Sequence, residues 1–220
     1  MKIGLVADIH SNLPALSAVL KQLSAVDILV CAGDIIGYYN QPNECCALIR
    51  ERANIVVLGN HEWAILRQWK PDHHQKDQMK SEWTRRNLNS DNLEWIAGLP
   101  EEESLEIDGY TLKIRHTLKG GGYLYPNSLL LNELPQKPME IIVLGHTHHP
   151  MNIKCGDGFV INPGSVGQPR DRNPAASYAI FDTLTGDTKM HRASYDIRYL
   201  QQRLSALEWD EDLIDRLGKA

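Results

Sequence analysis

Cysteine is scarce. Cys31, Cys45, Cys46 and Cys155 are the only four, none forms a C-x-x-C pair, and the two adjacent residues cannot easily bond to each other. They read as reduced thiols, which predicts a cytoplasmic location rather than a disulfide framework. Long apolar runs are missing too. None approaches the roughly 20 residues of a membrane-spanning helix, and the stretch that follows Met1, KIGLVADIH, has too short an apolar part for the core of a secretory signal. Nor is there a surplus of positive charge: 23 Lys and Arg stand against 28 Asp and Glu, a net charge of −5. That balance argues against a non-specific grip on nucleic acid or an anionic membrane surface, short of a local basic patch. No repeat, linker or low-complexity stretch interrupts the 220 residues. A single domain over 1–220 is expected, long enough to bury a sizeable core.

What is present alternates. KIGLVA (2–7), VDILVCAG (26–33) and NIVVLGN (54–60) are compact apolar runs of strand length. Between them, 12–24 places Leu13, Leu16, Val19, Leu20 and Leu23 at helical spacing behind the N-cap Asn12, with Pro14 in the tolerated first turn, and 42–52 reads as a second helix. Strand, helix, strand, helix, strand predicts a largely parallel sheet covered on both faces. Residues 61–98 read as helical and carry Trp63, Trp69, Trp83 and Trp95. The second half is strands and hairpins: one across Asp108-Gly109, a buried strand EIIVLGH, a hairpin over 151–164, another over 177–193, then an amphipathic helix over 196–217.

Polar residues gather where the strands stop. LVA runs into Asp8 and His10, LVCAG into Asp34, VVLG into Asn60 and His61, LKIR into His116, and IVLG into His146 and His148. The carboxyl edge of an open α/β sheet is where ligands bind. Asp8 and His10 are two apart, as are His146 and His148, so each pair points the same way in an extended segment. Asp8, His10, Asp34, Asn60, His116, His146 and His148 make seven nitrogen and oxygen donors with no thiolate. Seven is too many for one tetrahedral zinc. It suits two borderline cations with about four protein ligands each, if one carboxylate bridges; imidazole with carboxylate favours Mn, Fe, Zn, Co or Ni over Ca or Mg.

DIHSN, GDIIGYYNQP, GNHE, a later lone histidine, GHTHHP and NPGSVGQPR, in that order between residues 6 and 171, resemble the calcineurin-like metallophosphoesterase superfamily, above all its small bacterial and archaeal phosphodiesterase-type members. The resemblance implies a four-layer α/β/β/α sandwich around two mixed sheets. It implies one cation on Asp8, His10, Asp34 and His148, and a second on Asp34, Asn60, His116 and His146, with Asp34 bridging. His61 would be the catalytic histidine beside the phosphate. One departure concerns His116, whose setting IRHTLKGGGYLYP lacks the small residue that usually follows in the family. The helical stretch 62–98 has a looser likeness to diadenosine tetraphosphatase and serine/threonine phosphatase relatives.

The implied reaction is hydrolysis of a small phosphate ester, a diester rather than a monoester, by a hydroxide bridging two cations about 3.5–4 Å apart. Manganese is the favoured metal. His61, as imidazolium, would protonate the leaving group, a role worth about 10²–10⁴-fold. Asn60 fills a ligand position without adding charge, and Asn60, His61 and Arg170 would meet the substrate, Arg170 by its guanidinium fork. Asn162, Gly164 and Ser165 would supply hydrogen bonds behind the donors. Rival readings are a protein or dinucleotide-polyphosphate phosphatase, a nuclease, or a non-catalytic scaffold of the same fold; a homo-oligomer remains open.

Other residues take plainer expectations. His149 packs or faces solvent, His73 and His74 start a solvated helix, and His191 lies on a strand surface. The tryptophans are core residues rather than a base-stacking platform. Lys76, Lys80, Arg85 and Arg86 form a solvated helix face that could steer an anionic substrate. The glycines at 120–122 are not a phosphate loop, since no lysine and helix start follow in register; with Tyr123 they are expected to help shape the substrate pocket.

Overall fold

The computed structural model describes residues 1–67, 75–119, 121–125, 137–155 and 158–219, with the backbone alone over 75–80. The first sheet contains β1 (Lys2–Val6), β2 (Ile28–Cys31), β3 (Ile55–Val56), β9 (Ala176–Asp182) and β10 (Asp187–Ala193), in the order β10-β9-β1-β2-β3. The second contains β4 (Glu102–Ile107), β5 (Tyr110–Arg115), β6 (Glu140–Val143), β7 (Pro150–Cys155) and β8 (Gly158–Pro163), in the order β4-β5-β6-β8-β7. Both are mixed. β1-β2-β3 and β5-β6-β8 pair in parallel, and the three expected hairpins, β4/β5, β7/β8 and β9/β10, pair antiparallel.

The central strands are mostly apolar because both faces are buried. Ile3 and Leu5 of β1, Val30 of β2, Ala179 and Phe181 of β9, Leu112 and Ile114 of β5, Ile141 and Val143 of β6 and Ile161 of β8 meet between the sheets. Each such side chain contributes about 1.5–3 kcal/mol when fully buried. The alternate residues Val6, Leu29, Cys31 and Tyr178 face outward, against α1 (Leu13–Gln22), α2 (Pro42–Arg52) and α5 (Ser90–Ala97). On the outer face of the second sheet, Ile142, Leu144, Met151 and Val160 pack with Leu118 and Leu124. The Asn12 side chain caps α1 by accepting from the Ala15 N–H at 3.1 Å, a bond worth about 1 kcal/mol.

Two elements, β3 and the tail, differ from the expectation, and the helical stretch keeps it in several pieces. β3 is two residues long: after Val57, whose N–H still reaches the Cys31 carbonyl at 3.1 Å, the chain bends, and α3 (Asn60–Leu66) begins at once. The helical stretch is at least three helices, α3, α4 (Gln75–Asn87) and α5. Trp69, His73 and His74 lie outside the described residues, as do the side chains of Lys76 and Lys80. The tail divides into α6 (Ile197–Ala206) and α7 (Glu211–Lys219). Glu208 takes φ 54° at the break, and Trp209 turns inward so that its Nε1–H donates to the Tyr38 carbonyl at 2.8 Å. Leu200 and Leu204 of α6 and Leu213 and Leu217 of α7 enclose Tyr39. Among the described residues, no helix is long and apolar enough to cross a membrane.

Candidate metal centre

The loops after β1 and β2 run side by side because those strands are parallel neighbours. The Asp8 N–H donates to the Gly33 carbonyl at 3.0 Å, and the Ile9 and His10 N–H groups to the Asp34 carbonyl at 2.7 and 3.0 Å. From the other sheet, β5 delivers His116 and β6 the loop of His146 and His148. The sheets are joined there: the His146 N–H donates to Asp8 Oδ1 at 3.0 Å, and the Val166 N–H to the Ala7 carbonyl at 3.0 Å. Asp8, His10, Asp34, His146 and His148 all have positive φ, between 50° and 71°. A left-handed non-glycine residue costs about 1–3 kcal/mol. Five in one cluster mark a place where the surrounding structure imposes the backbone.

All seven donors meet at the facing strand ends. His116 Nε2 lies 3.1 Å from Asp34 Oδ2 and 3.1 Å from Asn60 Oδ1. His146 Nδ1 is 2.7 Å from Asn60 Oδ1, and His148 Nε2 is 3.4 Å from Asp8 Oδ1. His10 Nε2 stands 3.0 Å from His148 Nε2, 3.8 Å from Asp34 Oδ2 and 3.9 Å from Asp8 Oδ1. Three imidazoles are oriented from behind: Nδ1 of His10 faces the Ile36 carbonyl at 3.2 Å, Nδ1 of His116 that of Ala32 at 2.7 Å, and Nδ1 of His148 that of Gln168 at 2.5 Å. Only a protonated nitrogen meets a carbonyl, so each ring, when neutral, turns its Nε2 lone pair inward. Among the described residues three groups could hold a cation, each with its ligand atoms within 4.8 Å of one another: Asp8, His10 and His148; Asp34, His116 and His146; and His10, Asp34 and His61.

The electrostatics fit that chemistry. Burial pushes the Asp8 carboxyl up to about 7. Burial also holds His10 and His148 well below the ordinary imidazole value, helped by His61 against His10 and by His10 against His148, and brings His146 down to about 4. Burial alone would raise Asp34, but the charges of His116 and His61 outweigh it and keep this carboxyl well below its usual range. Burial likewise opposes the charged form of His116, yet Asp34 lifts it to about 10. Buried carboxylates beside neutral imidazole lone pairs are what a divalent cation requires, and at Asp34 and His116 a cation can take the place of the shared proton.

His61 starts α3 with its side chain one-fifth exposed and Nε2 3.9 Å from Asp34 Oδ2. Asp34 Oδ1 accepts from the His61 N–H at 2.9 Å. Two glycines make room. A Cβ on Gly59 would lie 2.1 Å from Asp34 Oδ1; one on Gly37, where φ is +98°, would lie 2.3 Å from His61 Nδ1. Arg170 is at the rim, exposed, with Nη2 3.2 Å from the Tyr38 hydroxyl and 3.1 Å from Gln168 Oε1. The NPGSVG segment supports the loops as expected. Asn162 Nδ2 donates to the Gly145 carbonyl at 2.7 Å, Gly164 N–H to Asn162 Oδ1 at 2.9 Å, and Ser165 Oγ to the Asp8 carbonyl at 2.7 Å.

Two residues of the site escaped sequence reasoning. Glu62 is fully buried and accepts from the Asp34, Gly59 and Ile36 N–H groups at 3.0, 2.8 and 3.0 Å, tying the Asp34 loop to the start of α3. Burial pushes its carboxyl up to about 7. The available signal was a glutamate at the third position of a helix behind a glycine, the capping-box spacing. Tyr38 sets its ring 4.5 Å from that of His10 and 4.8 Å from that of His61; no spacing rule points to it.

The remaining histidines and tryptophans are placed as follows. His149 meets Tyr125 edge-on at 5.7 Å, and His191 stacks on Tyr178 at 5.2 Å. Trp95 packs on the core as expected. Trp63 instead lines a cleft of 710 Å³ that opens beside Asn60, His116 and His146. Arg86 pairs with Glu82 on the exposed face of α4.

Comparison with known proteins agrees with this fold. The family model described as the calcineurin-like phosphoesterase superfamily domain matches residues 1–186. An uncharacterized protein of Methanocaldococcus jannaschii is 32% identical over 239 aligned positions, covering 98% of this chain and 96% of that protein. Phosphodiesterase YfcE of Escherichia coli K12 is 31% identical over 196 positions, covering 83% of this chain and 88% of its own. A metallophosphoesterase from Sphaerobacter thermophilus superposes with a TM-score of 0.87 at 31% identity, over 100% of this chain and 98% of the other.

Proposed function

The chain belongs to the calcineurin-like phosphoesterase superfamily, and on that premise we propose that it hydrolyses phosphodiesters with two divalent cations, manganese by preference. Asp8, His10, Asp34 and His148 hold one cation, and Asp34, Asn60, His116 and His146 the other. The observation that carries this reading is the position of Asp34 Oδ2, 3.1 Å from His116 Nε2 on one side and 3.8 Å from His10 Nε2 on the other. A carboxylate with donors of both groups at hand is suited to bridging.

When bound, the cations supply Lewis-acid polarisation of the phosphoryl oxygens and lower the pKa of water to about 7. The chain's own residues do the rest. Asp34 is kept ionised, His10 and His148 are kept in the tautomer that ligates, and His116 would ligate once a cation displaces the proton that Asp34 holds on it. His61 approaches from the open side, where Nε2 can give its proton to the oxygen leaving phosphorus. Arg170 reaches over the mouth to a non-bridging phosphate oxygen. The complete donor set, with His61 in place, favours an enzyme over a scaffold.

The test is a metal-screened assay of bis-p-nitrophenyl phosphate beside p-nitrophenyl phosphate. Faster turnover of the diester with added manganese is expected. No turnover with any of Mn, Fe, Zn, Co or Ni would refute catalysis, and a preference for the monoester would refute the diester assignment.

A further inference from the structure

Beyond His116, Leu118 and Leu124 pack on the outer face of the second sheet, and two tyrosines lie beside the centre. Tyr123 stacks on His146 with ring centroids 4.1 Å apart and planes 26° from parallel. Tyr125 lies parallel to Tyr123 within 6°, centroids 6.1 Å apart. These rings are 50% and 44% exposed, whereas Leu124 between them is 3% exposed and packs into the apolar cluster beneath. The segment therefore alternates, and it spends its outward positions on aromatic rings although an apolar cluster lies directly below.

The cleft that shares Asn60, His116 and His146 is lined by Arg67 and Lys119, both exposed, and by Glu101 and Glu102, with Trp63 under the Arg67 guanidinium at 4.6 Å. A ligand whose phosphorus sits at the centre thus has a cleft of mixed charge beside it and two half-exposed, parallel tyrosine rings next to His146. Isolated exposed tyrosines are ordinary on loops. Two parallel ones, the first stacked on a donor of the centre, form a surface continuous with it.

We propose that Tyr123 and Tyr125 form a stacking platform for a planar aromatic arm of the substrate, so that the preferred substrates are phosphate esters carrying a nucleobase. This rests on the phosphoesterase reading for the phosphate and adds the identity of the arm. The net charge of −5 favours a small nucleotide over a long polyanion.

The test compares two ligands that share phosphate and sugar and differ only in the base: thymidine 5′-monophosphate and 2-deoxyribose 5-phosphate, each dialysed to equilibrium against the manganese-loaded protein. The nucleotide is expected to bind about 10-fold more tightly, the order that base–aromatic stacking supplies. Tyr123→Ala removes that advantage, Tyr123→Phe keeps it, and Tyr125→Ala reduces it, while the sugar phosphate binds all four proteins alike. Equal affinity of the two ligands for the parent protein, or an advantage that survives both alanine variants, overturns the platform. If the loaded protein hydrolyses neither p-nitrophenyl ester, the phosphoesterase reading fails, and the dialysis still decides the platform.

Discussion

Nε2 of His10 and Nε2 of His148 stand 3.0 Å apart, with both rings buried. Each Nδ1 is committed to a carbonyl, of Ile36 and of Gln168, so two buried lone pairs face each other. A cation between them removes the repulsion and compensates the buried Asp8 carboxylate. Folding and metal binding are therefore linked. At free manganese about 100 times its Kd, one site adds about 2.7 kcal/mol, which for a chain of this size raises the melting midpoint by about 5–10 °C. Differential scanning fluorimetry with manganese and with chelator measures it; coincident midpoints would contradict the linkage.

His61 is expected to act on substrate rather than on metal. His61→Ala keeps the full metal content and lowers kcat by about 10²-fold or more. Elemental analysis and steady-state kinetics on one preparation check both halves. Metal lost along with activity would move His61 into the donor set, where its neighbourhood with His10 and Asp34 would then place it.

Glu62 holds three backbone N–H groups that have nowhere else to turn. In Glu62→Gln an amide NH₂ replaces one accepting oxygen and leaves at least one buried donor unpaired, at about 1–3 kcal/mol. A midpoint lower by several degrees is expected, with weaker metal binding because the Asp34 loop loosens. An unchanged midpoint would mean that these bonds are dispensable.

The tail reaches the site through one indole. Trp209→Phe keeps the ring and deletes the bond to the Tyr38 carbonyl, a loss of about 1 kcal/mol. Faster amide exchange over 36–39 is expected, with a drop in kcat larger than the change in KM, since Tyr38 covers His10 and His61 and meets Arg170. Exchange equal to that of the parent would show that the tail does not hold this loop.

The centre was legible in the sequence because its chemistry is local to strand ends. A run such as IVLG stops at a polar donor, and that pattern recurs strand after strand. Pairing of β1 with β2 and of β5 with β6 gathers the ends within each sheet, and packing of the two sheets then brings both sets together. Glu62 was harder to read, since its role depends on backbone donors from two loops, only one of which is near it in sequence. Tyr38 and Trp209 were harder still: their relation spans 171 positions and follows from the packing of Tyr39 under α6 and α7. The break in the tail had a trace in Asp210, which accepts from the Leu213 N–H at 3.2 Å at the start of α7. An unbroken amphipathic period over 196–217 masked it. β3 was overestimated for the opposite reason: NIVVLGN is apolar to its end, but Leu58 and Gly59 serve the approach to Asp34 rather than the sheet.

Metal counting tests the two-cation centre most directly. Protein reconstituted with manganese, freed of excess and analysed for its elements is expected to carry two ions per chain, His116→Ala one, and Asp34→Asn fewer than two with no turnover. One ion or none in the parent protein, or two ions undiminished in His116→Ala and Asp34→Asn, would contradict a bridged pair at these residues.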